Sequence, residues 1–257
     1  MFASERHEII LNMLKTQHSV TVSELTEKFG LSIETIRRDL AALESRNLLT
    51  RVHGGAVAVS DGMRVFNSLS DRIAENQEYK RELSQKAAEL VNENDVIALD
   101  AGSTAREFAK VLGESFTRLK IVTYSLDIIN MLCGKPDFSF ILIGGDFNPA
   151  ERVFGGFLAS ESMKRLHVSK SFIFSSAVSL KYGITITLSE FYELERTLMS
   201  ISDHSYILAD STKFETASPI RLCGLNEVDA IVTDSRLDDR IARLYAENGI
   251  NLLRWKS

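Results

Sequence analysis

The sequence contains little proline, cysteine or tryptophan: three, two and one of its 257 residues, respectively. So few prolines, beside only 14 glycines, leave little room for a long flexible linker. The two cysteines, Cys133 and Cys223, are far apart in the chain and provide no disulfide framework. No cysteines or histidines have the spacing of metal ligands. We therefore predict neither a metal site nor a cofactor.

Long apolar runs are also absent. The first residues, Met1 to Arg6, do not combine a basic start with an apolar segment, and no later stretch of about 18 residues is apolar and uncharged. Neither a signal peptide nor a membrane span is predicted, and we expect a cytoplasmic protein without a membrane partner. Apolar residues at 44% and charged residues at 25% are typical of a globular chain.

The chain has no excess of basic residues. Its formal net charge of −5 by itself argues against nucleic acid as a partner. However, residues 1–58 hold seven Lys or Arg and seven Asp or Glu, so the negative excess belongs to residues 59–257. Residues 37–58 carry four basic and two acidic side chains. We therefore expect a locally positive surface on a neutral N-terminal domain.

Residues 1–58 have the pattern of three short helices and a hairpin. The first helix is expected to end near Gln17, where the helical spacing of apolar residues stops. Thr21 and Glu24 have the spacing of a capping box that opens a second helix, and Gly30 ends it. Ser32 is a suitable cap for a third helix. The apolar positions of the three helices are Ile9, Ile10, Met13 and Leu14, then Leu25 and Phe29, then Ile33, Ile36, Leu40 and Leu43.

Two predicted strands follow, at residues 48–52 and 56–59, with Gly54 and Gly55 as the turn between them. Together these elements predict a winged helix-turn-helix domain at residues 1–58, with the helix-turn-helix element at about Val20 to Asp39. Such a domain places the second helix of its helix-turn-helix pair, here the third helix of the domain, in the major groove of double-stranded operator DNA. For any single residue, a solvated helix face or an ordinary hairpin is the alternative. We expect base contacts from Ser32, Glu34, Thr35 and Arg38, and phosphate or groove contacts from Arg37, Arg38, Arg51 and His53.

The rest of the chain has a different pattern. Residues 59–78 are polar and without clear periodicity, and we predict a linker there. Apolar strands then alternate with helical patterns over residues 79–257. This alternation is typical of an α/β domain with a largely parallel sheet. The predicted strands are at 96–99, 120–123, 138–143, 171–174, 206–209, 230–233 and 251–253.

Ligands of such sheets bind outside the carboxyl ends of the strands, at the strand-to-helix turns. In the first turn, Gly102 permits close approach of a ligand, the following helix offers unpaired N–H groups, and Ser103 and Thr104 add hydroxyls. Capping of that helix by Asp100 and Ser103 is the alternative. Later turns also carry hydroxyl groups, glycines or a lysine, which suits a polar anionic effector. The candidate effector-binding residues are Asp100, Gly102, Ser103, Thr104, Ser125, Gly144, Gly145, Gly183, Asp210 and Lys213.

The run Arg37-Arg38-Asp39-Leu40 and the signature His53-Gly54-Gly55-Ala56 resemble the DNA-binding domain of DeoR-type bacterial transcription regulators. The resemblance continues into the sensor domain of that family. It implies a fold related to ribose-5-phosphate isomerase and a response to a phosphorylated sugar. The positions that match the sensor domain are Arg72, Lys80, residues 100–104, Gly144, Gly145, Gly156, Gly183, Asp210 and Lys213.

The chain departs from the family pattern in five places. Tyr124 occupies the middle of a motif that is usually Thr-Asn-Ser, and Asn148 stands where a basic residue is frequent. Phe174 begins a stretch that is usually Gly-Ala-Asp-Gly. Glu195 stands where a lysine is common, and Glu215 replaces a glycine. We expect these changes to reshape the effector pocket or to fill it.

Three functions are compatible with these patterns. The first is a repressor of a carbohydrate-metabolism operon, relieved by a phosphorylated sugar and assembled as a dimer or tetramer, because paired helices read repeated half-sites. The second is an isomerase-like enzyme, with Asp100, Glu190, Glu193 and Lys213 as acid, base and phosphate anchor. An enzyme does not explain the winged helix, so we predict no enzymatic activity. The third is a regulator that has lost small-molecule sensing, suggested by Phe174 and Glu195.

Overall fold

The computed structural model describes residues 3–17, 19–44, 48–52, 55–58 and 68–255. The chain divides into two compact units, residues 1–62 and residues 63–257. In the described ranges, no helix combines the length and the apolar character needed to cross a bilayer.

The N-terminal unit contains three helices and a small antiparallel sheet. The sheet has the strand order β1-β3-β2. The elements are α1 (Ala3–Gln17), β1 (Ser19–Thr21), α2 (Val22–Phe29), α3 (Ile33–Glu44), β2 (Leu49–Val52) and β3 (Gly55–Ala58). The buried apolar residues form one core: Ile10, Leu14, Val20, Leu25, Ile36, Leu40, Leu43, Leu49 and Ala56.

The predicted helix boundaries in this unit are confirmed, and each has a local cause. The Thr21 hydroxyl accepts a hydrogen bond from the Glu24 amide at 3.1 Å, and the Glu24 carboxylate accepts one from the Thr21 amide at 3.4 Å. Gly30 ends α2 in the left-handed conformation, with φ 62°, which a residue without Cβ adopts at no steric cost. The Ser32 hydroxyl accepts a hydrogen bond from the Thr35 amide at 3.3 Å.

Strand β1 is not predicted from the sequence, and it gives Gly55 a second role. Gly55 belongs to β3 and lies opposite Thr21 of β1 in the antiparallel register. A Cβ at position 55 would lie 2.1 Å from the carbonyl oxygen of Val20. The position therefore requires glycine because two backbones meet there. Residues 53 and 54, which include the predicted turn, lie outside the described residues.

The C-terminal unit is built around a seven-stranded, fully parallel sheet with the order β15-β14-β12-β9-β4-β5-β6. This confirms the predicted α/β class. The helices are α4 (Leu69–Ala74), α5 (Gln77–Ala88), α6 (Ser103–Ser115), α7 (Leu126–Leu132), α8 (Gly156–Met163), α9 (Tyr192–Ser200) and α10 (Asp239–Glu247). The sheet strands are β4 (Val96–Leu99), β5 (Lys120–Thr123), β6 (Ser139–Leu142), β9 (Val168–Ile173), β12 (Ser202–Leu208), β14 (Ala230–Thr233) and β15 (Leu252–Arg254).

Two apolar cores cover the two faces of this sheet. Successive residues of a strand face opposite sides, so Ile97 and Leu99 join one core while Ala98 joins the other. Residues of α5, α6 and α7 complete the first core. Residues of α8, α9 and α10 complete the second, together with a small antiparallel sheet. Burial on both faces explains why the sheet strands are almost continuously apolar.

Short strands and 3-10 turns account for most differences from the sequence prediction. The small sheet, with the order β10-β11-β13, and the hairpin β7-β8 are not predicted, because segments of three or four residues give little periodicity. These strands are β7 (Asp146–Asn148), β8 (Val153–Gly155), β10 (Ala177–Ser179), β11 (Gly183–Ile186) and β13 (Ile220–Cys223). The 3-10 turns are Ser189–Phe191, Ser211–Lys213 and Leu225–Glu227.

The segment predicted as a linker, residues 59–78, also differs where it is described. Its described part contains α4 and the start of α5. Leu69 of α4 is buried. The buried Lys80 ammonium donates hydrogen bonds to the carbonyl oxygens of Arg72 and Glu75, the latter at 2.6 Å. Lys80 therefore caps the carboxyl end of α4, an interaction that polar composition does not reveal. Residues 59–67 lie outside the described residues.

Candidate functional site

Helix α3 presents the predicted DNA-reading residues on its outer side. Ser32, Glu34, Arg37 and Arg38 are exposed, and Thr35 is half-buried. On a helix with 3.6 residues per turn, Glu34, Thr35 and Arg38 fall on one face. The hydroxyls of Ser32 and Thr35 lie 3.0 Å apart, so both also take part in the start of the helix.

A buried ion pair holds the opposite side of α3. The Arg6 guanidinium donates to both carboxylate oxygens of Asp39, at 2.8 and 3.0 Å, and His7 Nε2 lies 3.2 Å from the same carboxylate. Asp39 is buried, as is Leu40 beside it. Within the run Arg37-Arg38-Asp39-Leu40, the basic pair therefore faces outward and the next two residues face α1 and the core. The sequence prediction placed Asp39 at the end of the helix-turn-helix without assigning it this role.

The wing residue Arg51 has a partner inside its own domain. Its Nε donates to the Glu44 carboxylate at 2.6 Å, and its main-chain amide donates to the other oxygen of that carboxylate at 2.9 Å. These two hydrogen bonds lower the pKa of Glu44. A DNA phosphate would compete with Glu44 for the Arg51 guanidinium. The fourth basic candidate, His53, lies outside the described residues.

In the C-terminal unit, a cavity opens where the strand order reverses. From β4 the chain proceeds to β5 and β6 on one side, and β9, β12, β14 and β15 lie on the other. In open α/β sheets, ligands bind outside the carboxyl ends of the strands at such a switch point. The cavity has a volume of about 40 Å³. Its lining includes Asp100 and Gly102 after β4, Phe174 after β9, Glu195 of α9 and Glu151 of the β7-β8 turn.

Asp100 is a buried residue of this cavity whose carboxylate already has hydrogen-bond partners. Its carboxylate accepts hydrogen bonds from the Tyr124 hydroxyl and from the Phe174 amide, the latter at 2.9 Å. Burial raises the pKa of Asp100 to about 6, although these hydrogen bonds act in the opposite direction. Tyr124, the residue that departs from the Thr-Asn-Ser motif, is completely buried. It therefore occupies an acceptor that a ligand would otherwise reach.

Two further carboxylates line the same cavity. Glu151 accepts a hydrogen bond from the Arg72 guanidinium through one oxygen, while its Oε1 is buried without a partner among the described residues. Glu195 is buried, and its Oε2 also lacks a partner there. Burial, with the nearby Asp100 carboxylate, raises the pKa of Glu195 well above its usual value. Arg72 and Glu195 belong to the family comparison made from the sequence, whereas nothing in the sequence pattern singled out Glu151.

The cavity brings together only part of the predicted effector set. Asp100 and Gly102 line it, and Gly102 has φ 113°, a conformation that favours glycine. Ser103 and Thr104 begin α6 directly beside it. The remaining predicted residues do not belong to its lining: Ser125, Gly144, Gly145, Gly183, Asp210 and Lys213.

Several of these residues have identifiable contacts in their own surroundings. Ser125 caps α7 through a hydrogen bond from the Ile128 amide at 3.5 Å. A Cβ at Gly145 would lie 2.2 Å from the Gly155 carbonyl oxygen, and one at Gly183 would lie 2.5 Å from the Cys223 carbonyl oxygen. Three of the predicted residues remain, Asp210, Lys213 and Gly144. The Asp210 carboxylate accepts a hydrogen bond from the Thr212 amide at 3.0 Å, and Lys213 Nζ donates to the Ser175 carbonyl oxygen at 3.4 Å. A Cβ added at Gly144 would meet open space.

Two of the family departures also have structural explanations. Glu215, which replaces a glycine, adopts a positive φ of 52°. Its carboxylate accepts hydrogen bonds from the Tyr245 hydroxyl at 2.7 Å and the Leu180 amide at 3.2 Å. Asn148 accepts hydrogen bonds from the amides of Ala150 and Glu151, at 2.9 and 3.1 Å, and so shapes the turn that carries Glu151.

The chain combines a winged helix-turn-helix with an α/β unit that has a cavity at its switch point. This combination is typical of two-domain DNA-binding transcription regulators. Two family models match this chain. The model of the DeoR-like helix-turn-helix domain matches residues 6–61, and that of the DeoR C terminal sensor domain matches residues 75–235. The chain belongs to the DeoR family of transcription regulators.

Individual relatives agree over most of the chain. The HTH-type transcriptional regulator GolR of Listeria innocua is 32% identical over 97% of this chain and 98% of its own length. The L-fucose operon activator of Haemophilus influenzae is 34% identical over 95% of this chain and 97% of its own length. The lactose phosphotransferase system repressor of Lactococcus lactis is 29% identical over 92% and 93%, respectively. These relatives are transcription regulators, which decides against the enzymatic alternative.

Among solved structures, ribose 5-phosphate isomerase A from Neisseria gonorrhoeae is similar over 55% of this chain and 54% of its own. The TM-score is 0.41 and the sequence identity 20%. A likeness at this level carries no argument about function.

Proposed function

We propose that this regulator represses a carbohydrate-metabolism operon and is released from its operator by a phosphorylated sugar. In this proposal residues 1–58 bind DNA, residues 79–257 bind the effector and assemble the oligomer, and residues 59–78, which include α4 and the start of α5, connect the two. Helix α3 is the observation that carries the DNA clause, because it exposes Glu34, Arg37 and Arg38 while the Arg6–Asp39 pair fixes its inner side. Two relatives, the L-fucose operon activator and the lactose phosphotransferase system repressor, support the assignment to carbohydrate metabolism by their names.

Two observations support the binding of a phosphorylated sugar to the C-terminal unit: the position of the cavity and the polar groups beside it. The start of α6 offers Gly102, Ser103 and Thr104 next to the cavity, and helix N-termini favour anions. A volume of about 40 Å³ does not hold a whole sugar phosphate, since ligand pockets usually enclose roughly 300 Å³ or more. Only part of such an effector therefore fits the cavity at this volume, and in our proposal binding widens it. A ligand that binds only the opened state shifts the population toward it, which is what coupling to DNA affinity requires.

A thermal-shift screen against pentose and hexose phosphates tests this clause. A ligand that binds only the native state stabilises it by about 2.7 kcal/mol when present at 100 times its Kd, and we expect the melting temperature to rise by several degrees. Lys213→Ala should reduce the shift if the ammonium of Lys213 holds the phosphate. Lys120→Ala is the control and should leave the shift unchanged. It removes an exposed lysine at the amino end of β5, whereas the cavity lies at the carboxyl ends of the strands.

A screen without any hit would favour a second candidate function, a regulator that no longer senses a small molecule. The observation behind this candidate is that Tyr124 and the Phe174 amide already occupy the Asp100 carboxylate. Control would then depend on another protein or on the abundance of the regulator itself.

We also propose that the protein is a homo-oligomer, either a dimer or a tetramer. Among the described residues, Phe157 and Leu158 at the start of α8 are the most exposed large apolar side chains, at 75% and 69%. Phe147 on β7 is 45% exposed and lies nearby, since a Cβ on Gly156 would lie 2.3 Å from the Asp146 carboxylate. Clustered exposed apolar side chains are typical of an interaction surface.

Light scattering after size-exclusion chromatography tests the proposed assembly. The double substitution Phe157→Ser with Leu158→Ser is expected to lower the molar mass to that of a single chain, because it removes the two most exposed of the three clustered apolar side chains, and neither belongs to a core. Leu244→Ser, at an exposed position on α10, is the matched control. An unchanged mass for the double variant would remove this surface from the assembly.

A further inference from the structure

The cavity at the switch point has an unusual balance of charge for an anion sensor. Three carboxylates line it, those of Asp100, Glu151 and Glu195, against one guanidinium, that of Arg72. The Arg72 guanidinium already donates to Glu151. A phosphate inside the cavity would face this surplus of acidic groups at close range. The cavity therefore favours a group of the opposite character.

The hydrogen-bond inventory defines that group more closely. Glu195 is 4% exposed and Glu151 is 5% exposed, and each has one carboxylate oxygen without a partner among the described residues. Asp100, in contrast, accepts from Tyr124 and Phe174. Buried acceptors without donors are destabilising, so two unmatched oxygens on one cavity point to a missing donor.

The size of the cavity and the number of acceptors narrow the choice of donor. A primary ammonium group carries three N–H donors and a positive charge, whereas a hydroxyl carries one donor and no charge. A phosphate offers mainly acceptors. About 40 Å³ accommodates one ammonium group together with a water molecule. In the part of the chain that the structure describes, no cluster of His, Cys, Asp or Glu is arranged to hold a metal ion.

We propose that this cavity binds a primary ammonium group, with the carboxylates of Glu195 and Glu151 as its acceptors. The inference deepens the proposed sensor function, because it assigns an amine to the part of the effector that enters the cavity. Any phosphate on the same effector then lies outside, beside Ser103 and Thr104 at the start of α6. The reversal of charge at position 195, where the family commonly has lysine, becomes a determinant of ligand class.

The test uses methylammonium chloride as the probe and the full chain as the protein. Melting temperatures are compared in methylammonium, tetramethylammonium and sodium chloride at about 0.1 M, so that ionic screening is matched. Methylammonium is expected to raise the melting temperature by a few degrees over both other salts, because only this cation has N–H donors and fits the cavity. Equal melting temperatures in the three salts would overturn the proposal.

Substitutions on α9 test whether Glu195 is responsible for the effect of methylammonium on the melting temperature. Glu195→Gln should abolish the difference between methylammonium and tetramethylammonium, because glutamine can neither ionise to pair with a bound ammonium group nor offer a second acceptor oxygen. Glu193→Gln, at an exposed position of the same helix, should retain the difference. A Glu195→Gln protein that responds like the wild type would also overturn the proposal, while the wild-type comparison remains decisive if this variant does not fold.

The outcome is separable from that of the proposed regulatory function. The same protein preparations are assayed for DNA binding in buffer without methylammonium. The assay is a gel shift on a duplex that the wild-type protein selects from a random pool. Loss of the methylammonium effect with intact DNA binding would remove only the ammonium site. Absence of DNA binding with an intact methylammonium effect would remove only the regulatory proposal.

Discussion

Replacing Arg38 by alanine is expected to weaken binding to a selected operator duplex by about tenfold to a hundredfold. A single side chain that contacts a base edge contributes roughly this much discrimination. Arg38 is exposed and falls between Glu34 and Thr35 on the outer face of α3, where the helix would meet the major groove. The effect should exceed that of any other single substitution on the exposed side of this helix. Gel shift or fluorescence anisotropy measures it.

Two controls separate base reading from general attraction to phosphate. Arg240→Ala removes the same charge from an exposed position on α10 and should leave affinity unchanged. Arg37→Ala should weaken binding to all duplexes alike and reduce the dependence of affinity on salt, as expected for a phosphate contact. Wild-type affinity and specificity in Arg38→Ala would show that α3 does not read the operator through this residue. The variant should keep its thermal stability, because Arg38 is on the surface.

Replacing Glu195 by glutamine is expected to stabilise the C-terminal unit at neutral pH by about 1 to 3 kcal/mol, the usual cost of an unsatisfied buried polar group. Glutamine has nearly the same shape as glutamate, carries no charge and supplies an amide donor to the cavity. The wild-type carboxylate is buried without a partner for Oε2 among the described residues. Urea unfolding followed by Trp255, the single tryptophan of the chain, measures the change in this unit.

The stabilisation should depend on pH in a defined direction. Burial raises the pKa of Glu195 in the folded protein, so the folded state holds a proton that the unfolded state releases above its ordinary pKa. Wild-type stability from this group is therefore present at low pH and falls as pH rises, by up to about 1.4 kcal/mol per pH unit. Asp100, with a pKa raised to about 6, adds a loss of the same sign between its ordinary value and pH 6.

The comparison of Glu195→Gln with wild type isolates the contribution of Glu195. The difference in free energy of unfolding should be close to zero at about pH 4 and should grow toward pH 7.5. Glu193→Gln should show no such growth, because Glu193 is exposed. The groups that face Glu195 are Asp100, Glu151 and Arg72 in the cavity, Tyr124 beside Asp100, and Cys223. A difference that shrinks with rising pH would contradict the assigned burial of the charge.

Features that depend on neighbouring residues were predictable from the sequence. The Thr21–Glu24 capping box, the end of α2 at Gly30 and the cap at Ser32 all involve groups within three or four positions of one another. Alternation of strands and helices likewise predicted the α/β class, because a strand buried on both faces must be apolar throughout. The candidate DNA-reading face follows from the same local periodicity.

The cavity at the switch point was predictable only at its first turn. Asp100 and Gly102, which line this cavity, were predicted as candidates because a strand-to-helix turn is a local pattern, and that pattern marks the carboxyl edge of the sheet. Gly145 and Gly183 have the same composition cue but are explained by close backbone contacts with distant strands. Glu151 was missed because its turn joins two strands of only three residues each.

The sequence by itself determined the class of each domain, the boundaries of the N-terminal helices and the neutral charge of the N-terminal domain. Periodicity, helix caps and composition depend on residues that are close together in the chain, so they can be recognised from the amino-acid sequence. Only the tertiary structure decided which charges are buried, that Asp39 faces Arg6 and that Glu151 and Glu195 share a cavity with Asp100. These pairings join residues dozens of positions apart. They follow from the order of strands in the sheet and the packing of helices on it, which no local pattern specifies.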